Sequence, residues 1–213
     1  MLVLALDTSS AAVSVVLADV AAEVRVLARA QTVDGRGHAE HLAPNIAACL
    51  AESAAAPADL TAIVVGTGPG PFTGLRVGLV TAAALAEALA VPAYGVCSLD
   101  GFAAALSGSV LVAADARRKE VFWARHRDGE RTDGPAVDLP ADVPTDGVDA
   151  MTGAGARMYA EVFGLSVVGE EHPDPAVLVE RALDRLRAAA PSDPLTPLYL
   201  RRPDAVPPKS MQR

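Results

Sequence analysis

Nine residues, Gly66-Thr67-Gly68-Pro69-Gly70-Pro71-Phe72-Thr73-Gly74, constrain this chain more than any other stretch. An apolar run at 62–65 precedes them and an alanine-rich segment of about 73–90 follows, which gives a strand, a glycine loop and a helix. Backbone amides at such a helix start are a usual place for an anion. The standard phosphate loops do not fit. A P-loop requires lysine followed by Ser or Thr, and the first lysine is Lys119; a GxGxxG register fails because Gly74 falls one place late. What the loop offers is stiffness: Pro69 and Pro71 fix backbone angles, Thr73 caps the helix, and Phe72 and Arg76 are presented in a defined place.

Within that helix Gly74, Gly78 and Ala82 recur every four residues, next to Leu75 and Leu79. Such a stripe lets another helix, or the protein's own sheet, approach closely. Arg76 stands in the first turn, where the helix dipole disfavours a cation, and so favours a partner carboxylate.

Around this unit the chain reads as strands at 2–6, 13–18 and 24–32, a helix carrying Leu42, Ile46, Cys49 or Leu50, and Ser53 up to Pro57, the strand and helix above, and a strand at 94–97. The order is βββαβαβ. A weaker copy follows: a helix at 100–106, strands at 110–114 and 121–126, a third strand near Ala136, loop over 133–149, a strand at 150–152, and a helix through Phe163. Another helix covers 173–190. Six prolines occur beyond residue 190, where Leu195, Leu198, Tyr199 and Leu200 are placed to anchor an extended segment. The organisation expected is a lobe at 1–98, a smaller lobe at 99–190 and a tail at 191–213.

Composition excludes several classes. Two cysteines, Cys49 and Cys97, with no CxxC spacing build neither a disulfide framework nor a zinc ribbon, which suits the cytoplasm. Net charge of −8 with scattered arginines disfavours tRNA binding by this chain alone. The longest apolar stretch is mostly alanine and glycine and carries Arg76 and Glu87, the pattern of a buried helix with no membrane role.

Four further features have a chemical reading and a plainer one. Asp7 and Ser9, in a turn between two strands, have the chemistry to hold a phosphate and its magnesium, or simply to close an Asx turn. Arg117, in the basic turn 115–120, reads as a surface contact, since a phosphate cradle there needs small residues. Gly153 and Gly155 suit either close approach of a nucleotide base or a tight strand-to-helix turn. His38 and His41 sit near the first helix start at a spacing two metal ligands would use, but a polar helix face meeting a partner is preferred.

Taken together, the segments ALDTSSAAVSVVL (5–17), GHAEHLAP (37–44), GTGPGPFTGLRVGL (66–79), PAYGVCSLD (92–100), DARRKEVF (115–122) and PLYLRR (197–202) resemble the TsaB (YeaZ) family. Departures are Pro71, where that family usually has Ser, and Lys119, where Gly is usual. The resemblance implies an α/β fold of the actin, Hsp70 and sugar-kinase superfamily, with two βββαβα lobes, the second reduced. It also implies a non-catalytic subunit that docks onto a TsaD-type catalytic subunit, joined by a TsaE-type ATPase. That complex makes threonylcarbamoyladenosine next to the tRNA anticodon, and tRNA is met only through it; apart from the resemblance, the small-residue helix leaves open a third reading, a free-standing homodimer paired through that helix when the partner is absent. TsaD-like proteins carry an NHxEGH metal segment where this chain has Cys97 to Phe102, so Ser98 and Phe102 replace both histidines and no metal or other cofactor is implied. The interface expected comprises His38, His41, Leu42 and Ile46 with Phe72, Thr73, Gly74, Leu75, Arg76, Gly78, Leu79 and Ala82. The rival readings are a glycoprotease-like metallopeptidase and an actin-like ATPase.

Overall fold

The computed structural model describes residues 1–102 and 107–201. Its first sheet has five strands in the order β3-β2-β1-β4-β5: β1 (Leu2–Asp7), β2 (Ala12–Val20), β3 (Val24–Val33), β4 (Ala62–Gly66) and β5 (Ala93–Val96). The three N-terminal strands pair antiparallel, and β1–β4 and β4–β5 are parallel. Strands β1 and β4 are covered on both faces, which is why they read as unbroken apolar runs and not as alternating ones.

Helices α1 (His38–Glu52) and α2 (Phe72–Leu89) lie on one face of this sheet. Leu42 and Cys49 of α1 and Leu75, Leu79 and Ala82 of α2 pack with Leu4, Leu6, Ile63 and Val65. Burying each such leucine stabilises the fold by roughly 1.5–3 kcal/mol. Helix α2 has the length and mean hydropathy of a bilayer-crossing helix; here one side of it belongs to this core.

The second sheet, β8-β7-β6-β9, repeats the order of the first four strands with β6 (Ser109–Asp115), β7 (Val121–Arg127), β8 (Glu130–Asp138) and β9 (Ala150–Thr152). Between β8 and β9 a single 3-10 turn, Pro140–Asp142, stands where the first lobe has α1. This accounts physically for the reduced second lobe. Helices α3 (Ala154–Met158) and α4 (Ala160–Phe163) follow β9.

Several expectations are corrected. Strand β8 runs on to Asp138, so the predicted loop over 133–149 starts later than its Pro and Gly content suggests. The helix expected at 100–106 is a 3-10 turn over Ser98–Phe102; residues 103–106 lie outside the described residues. The helix expected over 173–190 divides into α5 (Pro175–Arg181) and α6 (Leu183–Arg187), with Asp174 capping α5 by accepting from Ala176 N at 2.8 Å. Both pack largely on the first sheet, while Arg181 also reaches Glu130 at the start of β8. Leu178, Val179, Ala182 and Leu186 pack on Val3, Ala5, Val64 and Tyr94, covering the first sheet's other face.

The segment after Pro191 also returns to the first lobe. Asp193 N donates to Ala93 O at 2.9 Å and Gly95 N to Asp193 Oδ2 at 3.1 Å, which satisfies part of the open edge of β5, and Leu198 N donates to Thr67 O at 2.8 Å just past the end of β4. Leu195 packs against the first core, and Leu198 and Leu200 against Phe102 and Phe122.

Candidate functional site

Two assemblies of the first lobe hold most of the residues singled out in the sequence. One is internal, the β1–β2 turn with the glycine loop; the other is the outward face of α1 and α2.

In the turn, Asp7 is only 1% exposed, and its Oδ1 accepts from Ser9 N at 2.8 Å and Ser9 Oγ at 2.7 Å. Oδ2 accepts from Ser98 Oγ at 2.5 Å, and that same hydroxyl accepts from Gly68 N at 3.0 Å. Burial raises the Asp7 pKa above the usual carboxylate value, although hydrogen bonds from Ser98 and Ser9 and the charge of His172 act the other way. The glycine loop closes over the turn so tightly that a Cβ at Gly66 would fall on the Asp7 carboxylate and one at Gly70 on the Ser9 carbonyl. Asp7 and Ser9, weighed above as phosphate-holding residues, therefore spend their polar groups on the protein itself. Ser98 does so too, and Phe102 lies in an apolar cluster with Cys97, Leu99 and Phe122.

This assembly fixes a pH dependence. The pKa of Asp7 is higher in the folded than in the unfolded chain, so its contribution to stability is full below the unfolded value and is lost as pH rises through the folded one. Comparing wild type with Asp7→Asn by urea denaturation from pH 3.5 upwards, the difference in stability is expected to shift towards the variant as pH rises. A pH-independent difference would show that burial does not hold the proton there. Burial lowers the His172 pKa, which gives both proteins a loss of stability with the opposite sign, on acidification.

The other positions read above as nucleotide-proximal also have contacts within the chain. Gly155 comes so near β6 that a Cβ would lie 2.9 Å from Ala113 O, and Gly153, at φ 103°, is closer still. Both serve the strand-to-helix turn. Arg117 is exposed, its backbone N donates to Asp115 Oδ1 at 2.8 Å, and Arg117, Arg118 and Lys119 all have φ between 54° and 65°. Lys119 thus occupies a left-handed conformation that glycine would take without strain.

The second assembly requires a larger correction. His38, Leu42, Gly74, Leu75, Gly78, Leu79 and Ala82 are buried within this chain, so they support the α1–α2 face from beneath and do not form its surface. The small-residue stripe packs on the β1–β2 turn: a Cβ at Gly74 would lie 2.8 Å from Thr8 O, and one at Gly78 would strike Thr8 Oγ1. His38 Nε2 donates to Ser10 O at 2.7 Å whereas His41 Nε2 meets Asp34 Oδ2 at 3.2 Å, so the two imidazoles do not converge. Exposed or half-exposed are His41, Ile46, Phe72, Thr73 and Arg76. Arg76 also has partners of its own, lying 3.9 Å above the Phe72 ring and donating from Nε to Tyr199 Oη at 2.9 Å; Phe72 stacks on Tyr199 at 5.3 Å. Its place in the first turn is compensated within the chain.

Sequence reasoning missed what does face outwards. On α1 these residues are Ala39, Ala43, Ala47, Ala48 and Ala51, beside Glu40, Pro44 and Glu52; on α2 they are Val80, 66% exposed, with Ala83, Ala84 and Ala88, beside Glu87. Their signal was the phase of the alanines relative to Leu42 and Cys49, obscured because α2 is apolar nearly all round.

Two mixed sheets that repeat one strand order, with helices packed on the first and a filled β1–β2 turn, define a two-lobed α/β protein. The family model described as TsaD, tRNA N6-adenosine threonylcarbamoyltransferase, matches residues 15–168. Two structures from Pseudomonas aeruginosa, one titled YeaZ and one described as similar to peptidase YEAZ, superpose with TM-scores of 0.78 and 0.80 at 29% and 30% identity. They cover 93% and 94% of this chain and 99% of theirs. The uncharacterized protein Rv3421c of Mycobacterium tuberculosis is 50% identical over 96% of this chain and 94% of its own. The Bacillus subtilis tRNA threonylcarbamoyladenosine biosynthesis protein TsaB is 35% identical over 57% of this chain and 53% of its own. The chain belongs to the TsaB/YeaZ family.

Proposed function

We propose that this chain takes part in tRNA threonylcarbamoyladenosine biosynthesis as a non-catalytic cytoplasmic subunit, docking onto a TsaD-type catalytic subunit through the outer face of α1 and α2. The similarity to the tRNA threonylcarbamoyladenosine biosynthesis proteins TsaB of Bacillus subtilis and Escherichia coli supports the pathway. The observation that carries the docking is the outward face itself, two adjacent helices presenting alanines and Val80 to solvent. Small side chains let partner helices come close, and an apolar patch of this kind marks an interaction surface. In this reading a TsaE-type ATPase joins the pair, and tRNA is reached through the complex, consistent with a net charge of −8.

The same face is suited to a second copy of the chain, because two such patches are self-complementary about a two-fold axis. The test is to mix the purified chain with its cognate TsaD-type protein and measure mass by size-exclusion chromatography with light scattering. A one-to-one complex is expected to form at the expense of any homodimer. Absence of that complex, or ATP or peptide turnover by the chain alone, would overturn the proposal.

A further inference from the structure

Thr8 is 1% exposed, and its hydroxyl enters helix α2 from the β1–β2 turn. Oγ1 donates to Gly74 O at 2.8 Å and accepts from Gly78 N at 3.1 Å. These two groups stand in the i and i+4 relation that an α-helix joins directly, so the hydroxyl is seated at a rung of the helix's own ladder. A side chain placed there bends a helix and fixes its local geometry. The seat exists because positions 74 and 78 are glycine: a Cβ at Gly78 would strike Thr8 Oγ1, and one at Gly74 would lie 2.8 Å from Thr8 O. The glycine stripe and the threonine hydroxyl are two halves of one contact.

That contact lies opposite the proposed docking surface. Arg76 and Val80 follow Gly74 and Gly78 by two residues, about 200° round the helix, and both are exposed. The distance and rotation of α2 at its inner glycines therefore set where Arg76 and Val80 stand outside. The same turn holds Asp7 to Ser98, at the crossover into the second lobe.

We infer that Thr8 is a positioning residue for the docking face: its hydroxyl, bridging Gly74 O and Gly78 N, sets the placement of α2 on which partner affinity depends. This rests on the docking reading above. Thr8→Val keeps the shape and removes the hydroxyl; it is expected to weaken binding of the TsaD-type subunit, followed by calorimetry, about tenfold or more, while Thr8→Ser stays within about threefold of wild type. Ile63→Val, in the same core but away from α2's glycines, serves as a control that lowers Tm without moving Kd. Thr8→Ala carries the same test should Thr8→Val fail to fold. Wild-type affinity in the hydroxyl-less variant, or equal weakening by Ile63→Val, would overturn the inference. If the wild-type chain does not bind at all, the docking reading is what fails. Amide shifts of Arg76 and Val80 then still decide the role of Thr8, since they are expected to move in Thr8→Val and not in Thr8→Ser, and unmoved shifts would refute it.

Discussion

Gly66→Ala is expected to lose about 3 kcal/mol or more of stability, a large share of the total, although it adds a single methyl group. Gly66 ends β4, where the added carbon would fall on the Asp7 carboxylate and lie 2.5 Å from Ser98 Oγ. Neither neighbour has room to yield. Asp7 is clamped by Ser9 and Ser98, and Ser98 is clamped in turn by the Gly68 amide. Overpacking at such a site, with a buried carboxylate pushed from its donors, costs about 3 kcal/mol or more. Total stability of a chain this size is about 5–15 kcal/mol. The measurement is the urea midpoint followed by near-ultraviolet circular dichroism. Gly66→Ala combined with Asp7→Ala is expected to recover part of the loss, because the second change removes the group the first collides with. A single variant within about 1 kcal/mol of wild type would mean that close approach of the turn and the loop is not required.

Val80→Asp is expected to have the reverse profile, a protein folded as wild type that no longer associates. Val80 is 66% exposed, so the charge meets water in the free chain, and surface changes of this kind stay within about 0.5 kcal/mol. In a docked helical face the same carboxylate is desolvated among alanines without a partner, and affinity should fall at least about 100-fold. Titration calorimetry against the TsaD-type subunit, with a melting curve of the free variant, separates the two effects. Unchanged affinity would place the docking surface elsewhere. Gly78→Leu, an obvious way to block helix approach from the sequence alone, does not make this test: its side chain would enter the Thr8 contact and damage the fold itself.

The contrast between Gly78 and Val80 shows where the sequence stopped being informative. Glycine at every fourth residue states that something approaches α2 closely, but what approaches is the β1–β2 turn, some 70 residues earlier in the chain. An amphipathic helix announces its inner face by the phase of its apolar residues; α2 has leucine, valine or alanine in nearly every direction and announces none. Helix α1 was easier, since Leu42, Cys49 and Leu50 fall on one stripe that the structure buries.

The chemistry of the β1–β2 turn was ambiguous for a related reason. Asp-Thr-Ser presents the same donors and acceptors whether they meet a phosphate or the chain's own backbone, and only the position of the glycine loop decides. That loop puts Gly66 against Asp7 and Gly70 against Ser9, leaving the polar groups satisfied internally. Likewise, nothing local to Leu178 or Val179 says that they cross back to cover Val3 and Ala5.

By itself the sequence determined the strand–loop–helix units, their order, the failure of the nucleotide fingerprints and the family. All of these depend on short-range periodicity, on glycine and proline geometry and on motifs a few residues long. Only the tertiary structure decided which side of α2 faces inwards, what Asp7 and Thr8 hold, and that α5 and α6 cross back to pack on the first sheet. These follow from contacts between segments far apart in the chain, where burial and hydrogen-bond satisfaction choose among partners that local composition leaves equivalent.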